Sequence, residues 1–135
     1  MRGLTIAATA SVFLTSATMA EPFSEVTIGV PVSSIEDAEA WYVNLFGPDV
    51  EILRPVLGVV EFKAAPGVWY QIFEAEEQQA SETIVRFLVD DIEETQRAGT
   101  EVGINMGEAI AIPEVVTFSE FPDPDGNALG LYDLP

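Results

Sequence analysis

From Glu25 to Val32, apolar residues alternate with small or polar ones, placing Val26, Ile28, Val30 and Val32 on one side and Thr27 and Gly29 on the other. A period of two is that of a β-strand with one buried face. At Ser33 the period changes: Ile35, Ala38, Trp41, Tyr42 and Leu45 recur at helical spacing behind a Ser33 or Ser34 cap, and Gly47-Pro48 stops the helix. Trp41 and Tyr42 fall on this stripe, which makes them core anchors against a sheet rather than a binding surface. Three more strands are predicted, Val50 to Leu53, Leu57 to Lys63 and Val68 to Glu74, punctuated by Pro55 and by the turn-forming Ala65-Pro66-Gly67. Ala75 to Ser81 is polar and reads as a link.

After the link the order starts again. A strand from Thr83 to Val89 runs into a helix capped by Asp90 or Asp91 and stopped at Gly99, a helix of about eight residues by the capping and glycine-stop rules. Glu101 to Ile112 shows no clean alternation. Val115 to Phe121 and Ala128 to Leu134 read as the last strands, joined by the tight turn Asp123-Pro124-Asp125-Gly126. The two halves also match in sequence: Val32-Ser33-Ser34-Ile35-Glu36-Asp37-Ala38 returns 57 positions later as Val89-Asp90-Asp91-Ile92-Glu93-Glu94-Thr95. Gly67 to Glu74 returns 59 positions later as Gly126 to Asp133. Two anchors at nearly one period mark a duplicated β-α-β-β-β unit, each copy too small to bury its own apolar face. The expected fold is therefore α+β, with two such modules (24–75 and 82–134) in one domain over 21–135. Their eight strands form a curved mixed sheet with the helices on its convex side and a cleft on the other.

Composition narrows the chemistry. The 135 residues contain no cysteine and no histidine, which removes disulfides, thiolate metal sites, the commonest transition-metal ligand and the usual general base. Five basic residues against 23 acidic ones give a net charge of −18, a field that repels nucleic acid and anionic lipid surfaces. This acidity fits a solvated, soluble surface, and also fits attraction of a cationic ligand.

Residues 1–20 differ from the rest. Arg2 is the only charge before Glu21, Leu4 to Ala17 are mostly apolar or small, and Thr18-Met19-Ala20 ends in a small residue. This is the pattern of a secretory signal peptide, and it places the mature chain in the periplasm or outside the cell. The apolar stretch is too short and too rich in Thr and Ser to anchor the chain in a membrane.

Three segments resemble the vicinal oxygen chelate superfamily, which includes glyoxalase I, extradiol dioxygenases and bleomycin-resistance proteins. They are Val30-Pro31-Val32-Ser33-Ser34-Ile35-Glu36 with Trp41-Tyr42, then Phe87-Leu88-Val89-Asp90-Asp91-Ile92, then Phe121-Pro122-Asp123-Pro124-Asp125-Gly126-Asn127, in order on a duplicated frame. Metal-dependent members carry a His or Glu on the first and last strands of each copy. The resemblance places those positions at Thr27, Gln71, Ile84 and Gly130, of which Ile84 and Gly130 offer no side-chain donor, so no metal or other cofactor is expected.

Strand parity fills in the cleft. If Ile84 faces inward so does Arg86, which is free to pair with an anionic group on a ligand or with a protein acid such as Glu61; the internal pair is favoured because buried arginines are usually partnered. Trp69, Gln71 and Phe73 share one face, and Gly130 and Tyr132 share the face at the matching edge, giving, with Phe118, an aromatic pocket floored by a glycine. Plain core filling is the alternative for Trp69 and Phe73. The Asp123-Pro124-Asp125-Gly126 turn lacks the spaced oxygens of a calcium loop and is read as structural. The expected function is a metal-free exported binder of a small organic molecule. Its alternatives are an enzyme of this superfamily with an atypical site, using a base such as Glu61 or Glu74, and sequestration of a cationic compound. A homodimer is compatible with the duplicated frame.

Overall fold

The computed structural model describes residues 22–135. The leader expected over 1–20 lies outside the described residues. In the first module β1 (Val26–Val32) leads through α1 (Ile35–Phe46) to β2 (Ile52–Leu53), β3 (Val59–Ala65) and β4 (Val68–Glu74). In the second, β5 (Val85–Leu88) leads through α2 (Ile92–Glu101) to β6 (Ile110–Ile112), β7 (Val116–Pro122) and β8 (Ala128–Asp133). The strands hydrogen-bond in two sets of four with one topology, β1-β4-β3-β2 and β5-β8-β7-β6. In each, the first strand runs parallel to the last and the remaining pairs are antiparallel. The repeat in sequence is thus a repeat in fold, and the class is α+β as expected.

The helix starts repeat as well. Ser34 Oγ accepts from Asp37 N (3.3 Å), and Asp91 Oδ1 accepts from Glu94 N (3.1 Å). Each helix has a second acceptor at its first residue: Ile35 N donates to Glu74 Oε1 (3.0 Å) and Ile92 N donates to Asp133 Oδ2 (2.9 Å). Glu74 and Asp133 end the last strand of their modules and are matched in the repeat. Two orphan N–H groups per helix are satisfied this way, and both carboxylates sit at the positive end of a helix dipole.

One correction concerns α2, which has ten residues and runs past Gly99 to Glu101. Gly99 is not a stop; a Cβ there would collide with the Met106 side chain, which folds over the helix and is buried with Ile104. The segment that showed no alternation therefore supplies two core residues from a loop.

Both modules bury their helix-side residues in one cluster, from Val30, Val32, Tyr42, Phe62, Tyr70 and Ile72 to Phe121, Leu129 and Leu131. The α1 aromatics join them: Phe46 meets Phe87 of β5 (ring centroids 5.6 Å) and Trp41 meets Phe121 of β7 (6.3 Å). At the centre Tyr42 Oη donates to Asp123 Oδ2 (2.7 Å) and lies 3.0 Å from Tyr70 Oη. Asp123 also accepts from the backbone N of Asp125 and Asn127 and from Asn127 Nδ2. Asn127 Nδ2 in turn reaches Pro31 O (2.8 Å), and its Oδ1 accepts from Ser81 N (2.7 Å). The turn read as structural is a polar rivet between the modules, its Asp123 and Asn127 side chains buried and hydrogen-bonded.

Candidate functional site

The second sheet presents, on the face away from the core, a guanidinium laid across a glycine. Arg86 and Glu120 are the two register neighbours of Gly130. A Cβ on Gly130 would stand 3.0 Å from Arg86 Cγ and 2.8 Å from Ser119 O, so only a residue without a side chain lets the arginine stem cross β8 this closely. Arg86 Nη2 pairs with Glu120 Oε2, and Cζ lies 6.0 Å from the Phe118 ring centroid. Beside them opens a pocket of about 270 Å³ lined by Arg86, Val116, Phe118 and Tyr132. Leu88, Ile110 and Ile112 share this face by register and are 57%, 50% and 46% exposed, so the pocket has an apolar margin.

The first sheet carries the other candidates. Gln71 Nε2 donates to its register partner Glu61 Oε2 (2.6 Å). Trp69, although on the face away from the core, is buried; its Nε1 donates to Glu25 Oε2 (3.0 Å) and Lys63 Nζ stands 5.9 Å from its ring centroid. Thr27 lies opposite Trp69 and is exposed.

Eight of the nine candidates therefore fall into two groups. Arg86, Phe118, Gly130 and Tyr132 come together on the second sheet; Thr27, Glu61, Trp69 and Gln71 come together on the first. Because both sheets turn their opposite faces into the common core, each group points outward from it, and no hydrogen bond or ion pair among the described residues joins one group to the other. Ile84 belongs to neither network. It precedes β5, which begins at Val85, and is 36% exposed. The expected partner of Arg86 is also corrected: it is Glu120, not Glu61, whose carboxylate is engaged by Gln71. Alternation identifies a face but does not rank two acids on different strands. Glu120 is two residues beyond Phe118 and Val116 two before it, so the parity that selects Phe118 selects them too; neither was among the candidates. Glu74, considered as a base, is committed to the start of α1.

No protein-family model matches the chain, and no curated protein sequence matches it. Solved structures do. A glyoxalase/bleomycin resistance protein from Catenulispora acidiphila superposes with a TM-score of 0.71 at 22% identity, covering 82% of this chain and 98% of that one. The lactoylglutathione lyase of Agrobacterium tumefaciens gives 0.69 at 19% identity, covering 84% and 95%. The fosfomycin resistance protein FosX of Listeria monocytogenes gives 0.68 at 19% identity, covering 87% and 96%. The fold is that of the vicinal oxygen chelate superfamily. Identities this low establish architecture and not activity.

One structure of the Listeria protein holds Mn(II) and sulfate. The positions at which the sequence resemblance places metal ligands, Thr27, Gln71, Ile84 and Gly130, offer few donors for an ion. Gly130 has no donor atom, and the space above it is filled by the stem of a cation, Arg86. Gln71 is a neutral amide already bonded to Glu61. Among the described residues no three Asp or Glu side chains converge.

Proposed function

We propose that this chain is an exported, metal-independent binding protein that holds a small organic molecule in the pocket lined by Arg86, Val116, Phe118 and Tyr132. The observation that carries the reading is the arginine seated across Gly130 beside an apolar pocket, a concave, largely hydrophobic site with one fixed polar group. The charge pattern of residues 1–20 supports export. The separation of the candidates onto two outward faces supports a homodimer. Sequestration of a cation is the second reading, favoured by the net charge of −18.

A thermal-shift screen with organic acids, neutral aromatics and aromatic amines tests the binding reading. Stabilisation that disappears in Phe118→Ala or Tyr132→Ala supports it, through the mass-action rise in melting temperature. No response from any class at millimolar ligand refutes it. Light scattering must return twice the monomer mass for the dimer, and the N-terminal residue of the exported protein must lie at or near Glu21.

A further inference from the structure

The ion pair at the pocket is asymmetric in how firmly its two members are held. Arg86 is seated by the gap that Gly130 leaves, its stem bears on the β8 backbone and its head lies over Phe118. Glu120 reaches it from β7, across β8, through a side chain with no other hydrogen-bonding partner among the described residues. Both side chains are 42% exposed, so water and solutes reach the pair. An exposed pair of this kind contributes little net stability, because each charge is solvated when alone. Exchange of Glu120 for another carboxylate therefore costs little, whereas moving Arg86 uncovers the notch over Gly130 and its aromatic contact.

Resting on the pocket assigned above, we infer that Glu120 is a displaceable internal counter-ion, and that the pocket's ligand carries a carboxylate joined to an aromatic body. The carboxylate takes the place of Glu120 on the Arg86 guanidinium, where paired N–H donors match its geometry. The aromatic body fills the space between Val116, Phe118 and Tyr132. The acidic field of the whole chain opposes an anion only weakly at physiological salt, where screening acts over about 8 Å, while the guanidinium is in direct contact. Glu120 thus sets a threshold: neutral aromatics enter without disturbing it, and acids must compete with it.

The test is calorimetric titration of the full chain with 2-naphthoate, 2-naphthol and 2-naphthylmethylammonium, in the wild type and in Glu120→Gln, Arg86→Met and Arg86→Lys. Glu120→Gln removes the competitor and is expected to tighten naphthoate about fivefold, the equivalent of roughly 1 kcal/mol, while leaving naphthol within twofold. Arg86→Met should reduce naphthoate to the affinity of naphthol, and Arg86→Lys should fall between. Circular-dichroism melts check that each variant is folded; if Arg86→Met is not, Arg86→Lys and Glu120→Gln decide. Naphthol binding with naphthoate no tighter in Glu120→Gln overturns the inference and leaves the pocket standing. Preferential binding of the ammonium compound, lost in Glu120→Gln, overturns it in favour of a cationic ligand. Failure of all three probes overturns both the inference and the pocket.

Discussion

Replacing Tyr42 with Phe keeps the ring and removes one oxygen from the junction of the two modules. That oxygen lies 2.7 Å from Asp123 Oδ2 and 3.0 Å from Tyr70 Oη. A phenol has one proton, and Tyr42 gives its proton to the carboxylate, so Tyr70 is the donor in the second bond. The substitution therefore removes a hydrogen bond to a charged group and strands a buried donor. The first loss is worth about 1.5–3 kcal/mol and the second about 1–3 kcal/mol. The two overlap, because Asp123 keeps three other donors and the Tyr70 hydroxyl is free to rotate, so the net cost expected is about 3 kcal/mol. Tyr70→Phe removes only the outer donor and should cost about 1 kcal/mol. Equilibrium urea unfolding of the full chain, followed by tryptophan fluorescence and far-ultraviolet circular dichroism, measures both. With a slope of about 1.5 kcal/mol per molar urea, the Tyr42→Phe midpoint falls by about 2 M and the Tyr70→Phe midpoint by less than 1 M. A Tyr42→Phe variant no less stable than Tyr70→Phe would refute the donor order and the part assigned to Asp123 in joining the modules.

The same phenols predict alkaline sensitivity. Burial holds Tyr42 and Tyr70 above their ordinary value of 10.0, and at Tyr42 the adjacent Tyr70 and Asp123 add to the effect. The unfolded chain releases these protons first, so their contribution is complete below pH 10 and declines above it by up to about 1.4 kcal/mol per pH unit for each phenol. Urea midpoints that stay level from pH 9 to 11.5 would contradict this. A third prediction contrasts two glycines with positive φ. Gly107→Ala (φ +72°) drives a methyl into the carbonyl of Glu120 and should cost about 3 kcal/mol. Gly103→Ala (φ +89°) meets no atom within 4 Å and should cost about 1 kcal/mol of backbone strain alone, so equal losses in thermal melts would refute the collision.

Periodicity made the fold legible because every element is local: alternation in Val26–Val32, a helical stripe behind Ser34, and a second copy of each. It failed where a residue's role is set by a partner far along the chain. Gly99 resembles a helix stop until Met106 is known to lie over it. Arg86 announces a need for an acid, but choosing Glu120 over Glu61 requires knowing which strand lies on the far side of β8 from it. Parity also places Gln71 and Arg86 on the open face of their sheets without saying how those sheets are disposed. Docking is decided by Tyr42, Phe46 and Trp41, which as members of an apolar stripe look no different from residues that serve their own module alone.

The rivet around Asp123 and Asn127 ties together stretches that are remote along the chain: Tyr42 to Asp123 spans 81 positions, Ser33 to Asp125 spans 92, and Pro31 to Asn127 spans 96. Closing a loop of that length costs about 4 kcal/mol of chain entropy before any of these bonds forms. Folding is therefore expected to be slow for a chain of this size, with the rate-limiting crossing late and non-local. On a ribosome, α1 would emerge long before the loop that completes its surroundings, leaving the Tyr42 hydroxyl without Asp123 and Trp41 without Phe121 until nearly the whole chain has been synthesised.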